Sequence, residues 1–249
     1  QSVMKAGAAR NAVDCAFWDL EAKRSGKRVW ELAGLPEPQP VTTAYTLSVA
    51  TPMEMAAAAE RNAHRPLIKM KLTGEGDLDR VRAVRAVLPE TPIIVDANEG
   101  WEISMVERFA TELRQLQVRL VEQPLPQADD EALANVAHPV PFCADESCHI
   151  SEDVAHLKNL YDVVNIKLDK TGGLTEALKL RKVAVDVGME VMVGCMVATS
   201  LSMAPGVLVA QGALVVDLDG PLLLARDRDA GLIYDEAGRV HPPKKELWG

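Results

Sequence analysis

The sequence predicts an α/β protein built as a parallel (β/α)7β TIM-like barrel, preceded by one helix. Three observations carry this. Short strand-like runs alternate with amphipathic helical stretches along most of the chain, which is the signature of a parallel sheet. There are eight such runs at nearly even spacing, which favours a closed barrel over an open sheet. No G-x-G-x-x-G follows the first run, which weakens the runner-up, a doubly wound sheet.

The elements follow in order. Residues 4–24 read as a helix, because Ala, Val, Phe and Trp recur at helical spacing in AARNAVDCAFWDLEAK and Gly26 supplies a stop. A short VWELAG turn comes next, and Pro36, Pro38 and Pro40 punctuate a connection. The strand-like runs are 41–48, 67–72, 92–98, 118–124, 141–147, 163–169, 190–196 and 213–219. Between them lie stretches such as PMEMAAAAERNAH, LDRVRAVRAVL, MVERFATELRQL and GGLTEALKLRKVAVDVG. No long helical pattern follows the eighth run. The expected organisation is therefore a linker helix and connection over 1–40, a barrel over 41–219 and a turn-rich tail over 220–249. The leading helix is expected to fill the vacant slot outside the barrel.

Bulk properties narrow the function. The 249 residues carry a formal net charge of -9, which argues against nucleic acid or an anionic membrane as the main partner. Four cysteines without a C-x-x-C pair read as free thiols in a reducing cytosol, so a cytoplasmic location is expected. No run is long and apolar enough to span a membrane. Gln1-Ser2-Val3-Met4-Lys5 lacks the apolar core of a signal peptide. The sequence does not begin with Met, which suggests a fragment.

The chemistry sits at the strand ends. In a barrel the C-terminal ends of the strands face one site, and a charge there must be compensated. Lys71, Asp96, Glu122, Asp145 and Lys167 recur at intervals of 22 to 26 residues, one βα unit each. They are expected at one level on neighbouring strands. Three adjacent carboxylates repel one another unless a hard divalent cation joins them, and oxygen-only ligands suit one Mg²⁺. Lys71 and Lys167 fall on strands two and six, four apart in a ring of eight, so they would face each other across the mouth. Neighbouring cations, Lys69 beside Lys71 and Lys170 near Lys167, favour a neutral base. Two bases on opposite faces of one carbon suit a 1,1-proton transfer through a metal-stabilised enediolate.

These residues resemble a known set. Lys69-Met70-Lys71 is similar to the K-x-K of the muconate-lactonising subgroup of the enolase superfamily. Asp96-Ala97-Asn98, Glu122-Gln123-Pro124 and Asp145-Glu146-Ser147 resemble its three metal-ligand motifs, and Asn165-Ile166-Lys167 its second catalytic lysine. Asp217-Leu218-Asp219 resembles the D-x-D of the dipeptide epimerases, as do NIKLDKTGGLTEAL and GCMVATS. The resemblance implies an isomerase that epimerises dipeptides of the L-Ala-D/L-Glu type, with a role in recycling peptidoglycan peptides. It implies Lys71 and Lys167 as bases and Asp96, Glu122 and Asp145 as Mg²⁺ ligands. It implies Asp217 and Asp219 at the substrate ammonium group and Lys69 at the reacting carboxylate. Thr46, with Thr43 and Thr199, is a candidate for further substrate contacts. Asn98, Glu146, Asp169 and Lys170 stand behind these groups. Assembly into a homo-oligomer is common in such enzymes. Members of the family also carry an N-terminal capping domain, and without one this chain is expected to be weakly active or inactive.

Rival readings share the metal and lysines: an N-acylamino-acid racemase, an o-succinylbenzoate synthase or a cycloisomerase, none of which requires an ammonium-binding D-x-D. A mandelate-racemase-like enzyme would carry a histidine on strand seven, which reads EVMVGCM. An inactive remnant that only binds ligand, and a zinc site at Cys143, Asp145, Cys148 and His149, complete the alternatives.

Overall fold

The computed structural model describes residues 4–249, so the first three residues of the N-terminal stretch discussed above, Gln1–Val3, lie outside the described residues. The chain opens with α1 (Ala8–Ser25), α2 (Val29–Leu32) and β1 (Val41–Thr42). The alternating part follows: β2 (Tyr45–Leu47), α3 (Pro52–Arg61), β3 (Ile68–Lys71), α4 (Asp77–Val87), β4 (Ile93–Asp96), α5 (Ile103–Gln115), β5 (Val118–Glu122), β6 (Phe142–Ala144), α6 (Val154–Leu157) and β7 (Val163–Ile166). It ends with α7 (Leu168–Thr171), α8 (Leu174–Asp186), β8 (Glu190–Val193), α9 (Ser200–Val209), β9 (Val215–Val216) and β10 (Arg239–Val240). Strands β2 to β9 are parallel neighbours in chain order, the topology of a (β/α)7β barrel.

Two compact units make up the chain. The middle unit comprises Ala44–Cys148 and Ala155–Val164; the terminal unit comprises the residues up to Thr43, His149–Val154 and Asn165–Gly249. Strand β7 passes from one to the other.

In the middle unit the strands are apolar and buried, as a sheet covered on both faces requires. All four residues of β4 are buried, as are Ile68, Lys69 and Met70 of β3. The helices show ordinary start signals. Thr51 caps α3 by accepting from the Glu54 N–H, Pro52 takes the first turn, and the Glu54 carboxylate returns to the Thr51 N–H at 3.0 Å. After β5 the expected helical layer is a 3-10 segment, Gln127–Asn135.

The terminal unit gathers sequence-distant pieces. Helix α1 begins at Ala8 and stops at Gly26, whose φ of 71° is left-handed. It docks on the corner made by α7 and α8. Asn11 Nδ2 donates to Asp169 Oδ1 at 2.8 Å, and Arg10 Nε donates to the Gly172 carbonyl at 3.1 Å. Asp14 accepts from both the N–H and the hydroxyl of Thr175. Gly172 and Gly173 have φ of 76° and 120°, and a Cβ at either would collide with Arg10 or Asp14, so the corner needs both glycines. The leading helix thus rests on the corner after β7, and the side chain of Trp248 reaches back to the Cys15 carbonyl at 2.9 Å.

The first strand-like run, expected as one strand over 41–48, is divided. Residues 41–42 pair antiparallel with β10 of the tail, and Thr43 N–H donates to the Gly238 carbonyl. Only Tyr45–Leu47 join the parallel sheet, against β3. The backbone groups before Ala44 are satisfied by the tail and those after it by the sheet.

Candidate active site

Strand register brings the middle unit's charged groups level. Lys71 is paired with Asp96, Asp96 with Glu122, and Glu122 with Cys143. Asp145 lies one residue beyond the end of β6, so its backbone is not fixed by the ladder. Even so, ligand atoms of Asp96, Glu122 and Asp145 lie within 4.8 Å of one another, all three buried. Two ammonium groups meet this cluster. Lys69 Nζ lies 3.0 Å from Asp96 Oδ2 and 2.6 Å from Glu122 Oε2, and Lys71 Nζ lies 2.7 Å from Asp96 Oδ2. Lys69 is 1% exposed, a burial that a lysine tolerates only when paired. Burial pushes the Asp96 carboxyl up, but Lys69 and Lys71 outweigh it and hold the group below the ordinary carboxylate range.

Lys71 also borders a cavity of about 470 Å³ with Ser48, Thr73, Asn98 and Gly100. Asp77 fixes the rim. Its carboxylate accepts from the Thr73 and Gly74 N–H groups, from Arg80 and from the Trp101 indole. Asn98, in a left-handed conformation, donates its N–H to Asp96 Oδ1 at 2.9 Å and its side-chain amide to Glu146 Oε1 at 3.4 Å. Thr46 stands on β2 level with Lys69.

The terminal unit holds the second group. Lys167 follows β7 directly, 6% exposed, and Lys170 reaches back to the Asn165 carbonyl at 3.2 Å. Asn165 packs against Gly194 at the end of β8 so closely that a Cβ there would fall 2.7 Å from its amide oxygen. Asp217 and Asp219 are both buried, and Leu218 between them is pinned from two sides. Its N–H donates to Thr43 Oγ1 at 2.9 Å, and its carbonyl accepts the Tyr234 hydroxyl at 2.6 Å. Thr199 precedes α9 as its N-cap residue. Asp169, expected behind the catalytic groups, has Asn11 of α1 as a partner.

Among the described residues, the metal-competent grouping of Asp, Glu, His and Cys is Asp96, Glu122 and Asp145. Cys143 and Cys148 are buried in the middle unit. Gln123 entered the sequence argument only inside the Glu122-Gln123-Pro124 motif, and Asp77, Asp130, Tyr161 and Tyr234 did not enter it at all. Each of these four is one polar residue in an otherwise ordinary stretch, and only tertiary contact sets it apart.

Residues 54–246 match the enolase C-terminal domain-like family, and residues 1–34 match the mandelate racemase/muconate lactonizing enzyme N-terminal domain. The chain belongs to the enolase superfamily. Its relatives include an N-acetyl-D-glutamate racemase from Pseudoalteromonas sp., 46% identical over all of this chain and 78% of that protein. An L-Ala-D/L-Glu epimerase from Escherichia coli strain K12 is 43% identical over 97% of this chain and 75% of its own length. A solved enolase family member from Agrobacterium tumefaciens, described as homologous to dipeptide epimerases and holding sodium and L-Ala-L-Glu, is 57% identical. It superposes with a TM-score of 0.97 over 100% of this chain and 76% of its own. Several similar dipeptide epimerases were solved with Mg and a dipeptide. Among the described residues no helix is long and apolar enough to cross a membrane.

Proposed function

We propose that this protein is a Mg²⁺-dependent isomerase that epimerises dipeptides of the L-Ala-D/L-Glu type. The carrying observation is the buried Asp96–Glu122–Asp145 cluster with lysine ammonium groups against it. Oxygen-only ligands on three neighbouring strands fit a hard divalent ion, and Asp96, Glu122 and Asp145 would hold it. When bound, Mg²⁺ supplies Lewis-acid stabilisation of the charge that develops on the substrate carboxylate.

The chain's own residues then divide the work. Lys69, buried between two carboxylates, is assigned to the reacting carboxylate. Lys71 and Lys167 are assigned as the two bases. One takes the α-proton as the C–H bond breaks, and the other returns a proton to the opposite face as its N–H bond breaks. Asp217 and Asp219 are assigned to the ammonium group of the N-terminal residue, a charge-assisted contact.

A second reading has a specific observation in its favour, the 46% identity to an N-acetyl-D-glutamate racemase. The two substrates share an N-acylated glutamate; the dipeptide adds an ammonium group. The D-x-D therefore discriminates between them, because an ammonium group calls for an anionic partner and an acetyl group does not. The test is ¹H NMR in D₂O with Mg²⁺, following the Glu α-proton of L-Ala-L-Glu and of N-acetyl-D-glutamate in parallel. Faster loss and inversion with the dipeptide supports the epimerase. Preference for N-acetylglutamate supports the racemase, and silence with both, in this chain and again in a protein with an N-terminal capping domain joined to it, removes the proposal.

A further inference from the structure

Gln123 stands beside Glu122 and is wholly buried. Its φ of 34° is left-handed, an unfavourable conformation for a residue with a side chain. That conformation lets one residue bind three neighbouring strand ends. Its N–H donates to the Cys143 carbonyl of β6 at 2.8 Å, and its carbonyl accepts from the Glu99 N–H, beyond β4, at 2.9 Å. Its side-chain Oε1 accepts from the N–H groups of Asp145 at 2.9 Å and Ser147 at 3.2 Å.

The other end of the amide is fixed in turn. Nε2 lies within 2.8 to 3.2 Å of Tyr161 OH, Ser147 Oγ, the Leu125 carbonyl and Asp130 Oδ1. Tyr161 OH donates to the same Asp130 oxygen at 2.6 Å. This network orients the amide, since its carbonyl must point toward Asp145 when its NH₂ faces Asp130.

We propose that Gln123 is a positioning residue that sets the spacing of the three carboxylates, with Tyr161 and Asp130 locking its orientation. Asp145 needs such a brace because it lies past the last ladder pairing of β6. Its N–H is held by Gln123 where a strand partner would otherwise hold it. The inference rests on the reading that Asp96, Glu122 and Asp145 hold Mg²⁺. Residues that orient ligands in this way commonly change metal affinity about 10–100-fold when removed.

The test is calorimetric titration of the full chain with Mg²⁺, repeated with Mn²⁺ and its EPR spectrum. The variants are Gln123→Leu, similar in size but without polar atoms, and Tyr161→Phe, which removes one hydroxyl from the lock. Wild-type binding, weakened about tenfold or more by Gln123→Leu and a few-fold by Tyr161→Phe, with altered Mn²⁺ line shapes, is expected. If Gln123→Leu does not fold by circular dichroism, Tyr161→Phe decides alone. Folded variants that bind as tightly as wild type overturn the brace and leave the metal reading standing. Absence of binding by the wild type overturns both.

Discussion

The middle unit's cluster and the terminal unit's Lys167, Asp217 and Asp219 are held by different means. In the middle unit Lys71, Asp96 and Glu122 are placed by strand register, and opposite charges lie within 3.0 Å of each other. The second group is also held by residues far along the chain. Leu218, between the two aspartates, is gripped by Thr43, 175 positions away, and by Tyr234 of the tail. The corner after Lys167 is gripped by α1, about 160 positions away. One group is built by the repeating unit, the other by what surrounds it. Substitutions in the repeat should therefore strike chemistry, and substitutions in the surroundings should strike placement and stability.

The largest effect tests whether both units supply a base. Lys71→Ala and Lys167→Ala should each cut epimerisation about 10²–10⁴-fold. With two bases, each variant should still exchange the α-proton of one diastereomer for deuterium, and the two variants should spare opposite diastereomers. NMR in D₂O reads this directly, and loss of all exchange in one variant only would assign the chemistry to one unit. A smaller effect sharpens the role of the second group. Replacing Asp217 or Asp219 by Asn should raise KM for L-Ala-L-Glu about tenfold or more, from a charge-assisted contact of about 1.5–3 kcal/mol. It should leave N-acetylglutamate turnover nearly unchanged. Equal losses on both substrates would give the pair a purely structural role. The smallest effect concerns the surroundings. Tyr234→Phe leaves the Leu218 carbonyl short of a partner and should cost about 1–3 kcal/mol in urea unfolding. Mg²⁺ affinity should not change, because neither Tyr234 nor Leu218 is among the groups assigned to the ion.

The same contrast explains what could be read in advance. The βα rhythm, the parallel strand order and the recurrence of Lys71, Asp96 and Glu122 follow from period and spacing, which local sequence carries. The division of residues 41–48 was not legible, because it depends on β10, whose Arg239–Val240 pair has no strand signal of its own. Asp145 was placed by spacing, but the brace that fixes it needs a left-handed glutamine and a buried tyrosine and aspartate, none of which has a periodic signature. The docking of α1 on Gly172 and Gly173 was equally hidden. Two adjacent glycines read as a helix start, and only the neighbouring Arg10 and Asp14 show why no side chain fits there.

Trp248 closing on the Cys15 carbonyl, 233 positions away, has a consequence for biosynthesis. At about 5–20 residues per second, the ribosome releases this tryptophan on the order of ten to fifty seconds after α1. Throughout that interval α1, with Val13, Phe17 and Leu20 on its surface, lacks its final neighbour. The alternating repeat can pair strand by strand as it emerges, so its sheet should mature before α1 meets Trp248. Helix α1 is therefore secured by Trp248 only long after its own synthesis, which leaves it open to chaperones in the meantime.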